Sequence, residues 1–352
     1  MGQCRFCGRH DRLVAEVLGA CADCIRSQPE ALAQVQDRRA QARRELGQPV
    51  APPRTESGVL CPICANECRI GEGEMGFCGL RTVRGGKLVH LAGTPARGLL
   101  QSYHDPLPTN CVADPVCVGH SQRGRTNLAV FYGACSFDCL FCQNWHFRQM
   151  SPTGRLTSAR ELADYAGTRA ACVCYFGGDP TPQMAHALAT SRILAERGLH
   201  ICWETNGSMS PRLLRQAVGL SLATGGTVKF DLKAWDSRLH LALTGVDNRR
   251  TLENFTLAAE LGRSRPEPPP LVASTLLVPG YVDAEEVRCI ARFIADLDRN
   301  IPYVLLAFAP AFLMHDLPCT SSAHAYGALE AAREEGLTWV RIGNRHLLDV
   351  GW

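Results

Sequence analysis

Cys135, Cys139 and Cys142 fall within one short loop, "FYGACSFDCLFCQNWHF", residues 131–147, among aromatic residues. Three thiolates at this spacing suit an iron–sulfur centre. A cubane [4Fe–4S] cluster has four iron corners, so three cysteines hold it and leave one iron open to another ligand. A fully ligated electron carrier would need a fourth.

The chain has 18 cysteines in 352 residues. In a reducing cytoplasm, clustered thiols bind metal or do redox chemistry more readily than they form disulfides. Cys4-x2-Cys7 and Cys21-x2-Cys24 form two knuckles with the spacing of a tetrahedral Cys4 zinc ribbon. "CPICANECRIGEGEMGFCG" supplies a second set, Cys61, Cys64, Cys68 and Cys78, with glycines that let the backbone curl toward a metal. Spacing leaves zinc and an iron–sulfur cluster both open at that set. Cys111 and Cys117 in "PTNCVADPVC" either complete a further site or pack. Cys172, Cys174, Cys202, Cys289 and Cys319 are too scattered to form a ligand set and read as small buried apolar residues.

The elements that must position these groups divide the chain into regions. Residues 1–28 carry the knuckles; 29–57 read as a polar helix opened by Pro29, a solvated strut, followed by an exposed linker. Residues 58–126 are the second cysteine-rich segment. From 127 to 352 β-rich runs alternate with amphipathic stretches. "NLAVFYG", "ACVCYFGG", "LHICWETNG", "GTVKFDLK", "PLVASTLLVPG" and "PYVLLAFAP" are the strand candidates. Six βα units in series predict an α/β fold, a partial or full (β/α) TIM-like barrel, with chemistry at the C-terminal strand ends. The three-cysteine loop follows the first of these strands, and Gly177, Asn206 and Lys233 lie at later strand ends.

Net charge is +3 with no long basic run, so electrostatics do not suggest nucleic acid. No apolar stretch reaches about 18 residues and no leader pattern opens the chain, which predicts a cytoplasmic protein with no membrane partner.

The motif CxxxCx(aromatic)C after the first strand, carried by Cys135, Cys139, Phe141 and Cys142, resembles the signature of the radical S-adenosylmethionine (SAM) superfamily. The resemblance implies that the open iron chelates SAM. One electron then yields methionine and a 5′-deoxyadenosyl radical that abstracts hydrogen from a substrate. "YFGGDP" is similar to the family's GGE motif: Gly177 and Gly178 match and Asp179 replaces Glu, which leaves a backbone role toward the methionine amino group intact. "ETNG" and "DLK" resemble segments of glycyl-radical-enzyme activases, the family of the pyruvate formate-lyase activating enzymes. By that analogy Asp231 and Lys233 reach the methionine end of SAM and Thr205 and Asn206 lie near it; the alternative for Asp231 and Lys233 is a strand-end salt bridge.

Residues 61–79, 135–145 and 310–344 also resemble the radical SAM members of the AmmeMemoRadiSam system. The zinc-ribbon-like start and the Cys111/Cys117 segment depart from those relatives, so substrate identity does not follow. The implied cofactors are a [4Fe–4S] cluster and SAM, with zinc and an auxiliary iron–sulfur cluster at the earlier cysteines. The implied partners are an electron donor such as a ferredoxin or flavodoxin, and a substrate that includes proteins among its classes. Two further readings stand beside this one: an activase that installs a glycyl radical on a partner, and, from a different class, a metal-binding electron carrier or scaffold.

Overall fold

Strands rich in Val, Leu and aromatic residues, separated by helices with one apolar face, can bury both only by layering helices outside a parallel sheet. The computed structural model, which describes residues 2–109 and 111–349, shows that layering. Asn110 and residues 350–352, the last of the expected barrel region, lie outside the described residues.

The sheet has eight strands: β1 (Leu100–Pro106), β2 (Thr126–Tyr132), β3 (Ala170–Gly177), β4 (His200–Thr205), β5 (Val228–Asp231), β6 (Leu271–Leu277), β7 (Tyr303–Ala307) and β8 (Val340–Gly343). They lie side by side in chain order. β2 to β8 pair in parallel, and β1 joins antiparallel to β2, with Leu100 opposite Tyr132. Among the described residues β8 and β1 do not pair, so the barrel is partial. The six strands expected from sequence are β2 to β7. Sequence reading missed the antiparallel edge β1 and the short final strand β8.

Around the sheet run α3 (Ala159–Tyr165), α4 (Met184–Glu196), α5 (Pro211–Thr224), α6 (Ser237–Thr244), α7 (Arg249–Gly262), α8 (Ala284–Leu297) and α9 (Ser322–Glu334), which follow α1 (Ala22–Ser27) and α2 (Pro29–Glu45). Local chemistry sets their starts. Ser158 and Glu161 form a reciprocal capping box at α3, and Asp236, Asp283 and Ser321 cap α6, α8 and α9.

The amino-terminal knuckles do not stand apart from the barrel. Val14, Ala15, Leu18 and Ile25 share the main core, and the Tyr281 hydroxyl accepts from the Ala15 N–H at 2.9 Å and donates to the Ala20 carbonyl at 3.0 Å. Helix α2 is polar, as expected, but one face of it is not solvated. Arg39 and Arg43 are buried, and both point at the three-cysteine loop.

Candidate active site

The loop after β2 turns over the strand ends and aims its thiols into the mouth of the barrel. Its conformation depends on glycine at the end of β3. Gly177 has φ +100°, and a Cβ on Gly178 would lie 2.1 Å from the Ala134 carbonyl oxygen, so only glycine lets the two segments approach this closely. The Gly178 and Asp179 N–H groups then donate to the carbonyls of Tyr132 and Ala134 at 3.0 and 2.8 Å.

One cavity of about 220 Å³ opens there, and the sequence-predicted residues converge on it. Cys135, Cys139, Cys142 and Phe141 line it from the loop, Gly177, Gly178 and Asp179 from β3, Thr205 and Asn206 from β4, and Asp231 and Lys233 from β5. Asp179 does not extend into open space as a ligand would. Its buried carboxylate accepts from the Thr181 N–H at 2.7 Å, the Asn206 N–H at 2.7 Å and the Thr205 hydroxyl at 3.0 Å, which joins the ends of β3 and β4. Burial pushes the Asp179 carboxyl above its ordinary range despite those bonds.

The strand-end salt bridge that stood as the alternative for Asp231 and Lys233 is present, and it is part of a larger array. The Lys233 ammonium donates to Asp231 Oδ2 at 3.0 Å. Lys229, buried on the same strand, lies 2.8 Å from Asp231 Oδ1 and 3.0 Å from Glu204 Oε2. Burial opposes charge on Asp231, but the two ammoniums outweigh it and hold the carboxyl well below the usual carboxylate range. Lys229 and Glu204 were missed from sequence, although they sit two residues before Asp231 and Asn206 and so face the lumen by strand alternation.

A second missed group lies behind the loop. Asp138, buried between two of the cysteines, is ion-paired with Arg39 and Arg43 at 3.0 Å each and Arg148 at 2.8 Å. Burial works against its charge, but the three guanidiniums prevail and hold the carboxyl at about 2. Arg148 also lines the cavity, and its Nε and Nη1 are buried with no hydrogen-bond partner. Such orphaned cationic donors are costly unless an anionic group meets them. The three thiols, the open cavity and these donors together fit an anionic iron–sulfur cluster with SAM.

Burial pushes the Cys139 thiol up to about 12 and raises Cys135 well above its ordinary value, the latter with help from Asp179 and Cys139. Cluster binding would therefore displace protons.

The other cysteines fall into two spacings. Cys4, Cys7, Cys21 and Cys24 converge, their sulfurs all within 4.8 Å of one another, with Cys7 and Cys21 at 3.8 Å. Cys61, Cys64, Cys68 and Cys78 instead surround a common cavity with Asn66 and Arg81, and among the described residues no three of them close to the single-ion spacing. Burial raises the Cys61, Cys64 and Cys68 thiols. This region touches the three-cysteine loop directly. Asn66 Nδ2 donates to the Ser136 carbonyl at 2.6 Å, and Cys78 and Cys135 line one small cavity of about 40 Å³. Cys172, Cys174 and Cys202, expected as isolated packing residues, meet Cys111 and Cys117 around another cavity. Alternate-residue spacing on neighbouring parallel strands was the signal that sequence reading overlooked.

Comparison with known proteins agrees with this geometry. Residues 129–294 match the model of the Radical SAM superfamily. Those residues, a little under half of the chain, are similar to the radical SAM domain, whose family comprises enzymes that use a [4Fe–4S] cluster and SAM. The chain is 29% identical to an uncharacterized protein of Methanocaldococcus jannaschii over 82% of each chain. It is 36% identical to the isethionate sulfite-lyase activating enzyme of Oleidesulfovibrio alaskensis, over 38% of this chain and 40% of that enzyme. It is 26% identical to the pyruvate formate-lyase 1-activating enzyme of Escherichia coli, over 35% of this chain and 52% of that one. Among the described residues, no helix is long and apolar enough to cross a membrane.

Proposed function

We propose that this chain is an enzyme that reductively cleaves SAM at a [4Fe–4S] cluster held by Cys135, Cys139 and Cys142 and abstracts hydrogen from a substrate. The supporting observation is the convergence of three thiols, two glycines and a Lys/Asp/Lys array on one cavity of about 220 Å³. An electron carrier or scaffold has no need of such a cofactor-shaped surface.

When bound, the cluster and SAM supply a 5′-deoxyadenosyl radical on one-electron reduction. The chain's own residues bind and orient. Lys233 and Asp231 would hold the methionine end of SAM, and the backbone of the Gly177–Gly178 turn would receive its amino group. Thr205 and Asn206 support the same wall through Asp179. Phe141 packs near Lys233, whose ammonium lies 5.9 Å from the ring centre. Arg148, whose Nε and Nη1 have no hydrogen-bond partner, would meet the anionic cluster.

The spacing of Cys4, Cys7, Cys21 and Cys24 supports zinc. Four ligands at about 2.3 Å from a tetrahedral ion lie roughly 3.8 Å apart. Among the described residues no three of Cys61, Cys64, Cys68 and Cys78 close to the single-ion spacing, which supports a second cluster. A cubane holds each sulfur at a different iron corner and therefore keeps its ligands apart. The cavity shared by Cys78 and Cys135 offers a short route for electrons from a ferredoxin- or flavodoxin-type donor. A reducing compartment such as the cytoplasm keeps these thiols available.

The substrate class we favour is a protein. Similarity to two activating enzymes supports the narrower reading of an activase that installs a glycyl radical on a partner. The extra cysteines precede the three-cysteine motif here. In those activases that carry added ferredoxin-type clusters the clusters follow it, and on this point the chain departs from that subclass. The decisive experiment is anaerobic reconstitution followed by addition of SAM and a strong reductant. Formation of 5′-deoxyadenosine and methionine, lost in Cys142→Ala while metal at the amino-terminal sites is retained, is the expected result. Cluster-loaded protein that neither binds nor cleaves SAM overturns the reading. Deuterium transfer from a labelled candidate partner into 5′-deoxyadenosine identifies the substrate. Iron beyond four per chain, together with one zinc that is lost in Cys4→Ser, supports the metal assignments, whereas four irons and a zinc that is lost in Cys61→Ser reverse that of the second set.

A further inference from the structure

Side chains on a strand alternate between faces, so every second residue of the central strands enters the barrel lumen. On β3 these include Cys172 and Cys174, and on β4 Cys202 and Glu204. The connection between β1 and β2 folds beneath them through two short 3₁₀ turns, Asp114–Val116 and Val118–Ser121. It brings Cys111 and Cys117 to the same place. The resulting cavity measures about 30 Å³. That is room for one ion or one water.

Inside it, Cys111 Sγ, Cys174 Sγ and a Glu204 carboxylate oxygen lie within 4.8 Å of one another. The two carboxylate oxygens face different ways. Oε1 accepts from the Cys111 thiol at 3.4 Å, and Oε2 is held by the Lys229 ammonium at 3.0 Å.

We propose that Cys111, Cys174 and Glu204 bind a single soft divalent ion of the zinc class at the floor of the barrel lumen. Two thiolates and a carboxylate form a ligand set suited to such an ion, and three protein ligands leave a fourth position for a neighbouring thiol or a small ligand. The electrostatics favour a dication. The set would carry three negative charges, one of them offset by Lys229 because Asp231 also has Lys233 as a partner, and the remaining two match a dication. A partner that holds the far oxygen of a ligating carboxylate fixes its orientation, and Lys229 does this for Glu204. The ion ties the connecting segment to β3 and β4, which closes the lumen from below. Glu204 and Lys229 also line the 220 Å³ cavity, so the ion forms part of the wall of the reaction chamber. The site is independent of SAM cleavage: it draws on neither the three-cysteine loop nor the amino-terminal sets.

The test compares full-length wild type with Cys111→Ser and Cys174→Ser. Each is purified anaerobically, its iron–sulfur clusters reconstituted, and the protein then equilibrated with zinc or cobalt(II) and freed of loose metal. Wild type is expected to hold one more zinc per chain than either variant. Its cobalt form, minus that of Cys111→Ser, should show a thiolate-to-cobalt charge-transfer band. Equal zinc content with superimposable cobalt spectra overturns the site and leaves the thiols as packing residues. Should Cys174→Ser in β3 fail to fold, Cys111→Ser decides alone, because its position on the connecting segment spares the sheet.

Discussion

Asn206 donates from its side-chain amide toward the Cys135 thiol, with Nδ2 and Sγ 3.7 Å apart, while its backbone N–H is held by Asp179 at 2.7 Å. A strand end thus reaches across the cavity to touch one of the three thiols proposed to hold the cluster. Hydrogen bonds to the sulfurs of a cluster favour its reduced form, since they stabilise added negative charge. Asn206→Ala is expected to make the potential of the three-cysteine cluster more negative by a few tens of millivolts, on the scale where 59 mV is tenfold for one electron. Potentiometric titration followed by electron paramagnetic resonance reads the shift, and an unchanged potential means that the amide does not act on the bound cluster.

Asp138 carries a different kind of weight. It neutralises Arg39, Arg43 and Arg148 in the interior, so Asp138→Asn leaves buried cations without a full partner. Removing one side of such an array costs about 3–5 kcal/mol. The pH dependence follows from a carboxyl held at about 2 in the folded chain against an ordinary 3.8. Its stabilisation is present above the unfolded value and is lost as pH falls through the folded one, an effect on the order of 2 kcal/mol. Urea unfolding at pH 7 and at pH 2.5 should show the wild type losing most of this increment and the variant losing correspondingly less; parallel losses would remove Asp138 as the source.

Gly178→Ala should be poorly tolerated because its methyl group would meet the Ala134 carbonyl at 2.1 Å and force the loop off β3. Overpacking of this kind costs about 1–3 kcal/mol. Gly219→Ala, on an open face of α5 with nothing near its Cβ, is the control and should be neutral or stabilising. Calorimetry and SAM binding separate the two, and a Gly178→Ala protein that melts and binds as wild type would remove the steric argument.

The Cys139 thiol, pushed up to about 12 by burial, is protonated at neutral pH in the metal-free chain, and so is Cys135. Cluster formation must expel those protons. Cluster affinity measured against a competing chelator should therefore increase steadily from pH 7 to pH 9. A flat profile would show that the thiols are already ionised.

How much of this was legible in advance differs from residue to residue. The three-cysteine loop, the glycine pair and the Asp231/Lys233 strand end were readable because each is a local pattern, and local patterns survive any arrangement of the chain around them. The βα alternation was readable for the same reason. The two strands that were missed carry weak local signals: β1 is an exposed antiparallel edge, and β8 is only four residues long. The residues of α2 that matter at the loop were read as a solvated strut, since a run of arginines looks the same whether it faces water or a buried carboxylate.

What sequence alone determined, then, is the chemistry available: thiols in spaced sets, and strand ends bearing glycine, amide, carboxylate and ammonium. What only the tertiary structure decided is which of these groups meet. Asp138 and Arg39 are 99 residues apart, and Cys111 and Glu204 are 93 apart. No local propensity links such pairs. Strand register and the crossover helices bring them together, because parallel strands set side by side align inward-facing positions that are far apart along the chain. The same alignment turned Cys172, Cys174 and Cys202 from scattered residues into the lining of one cavity.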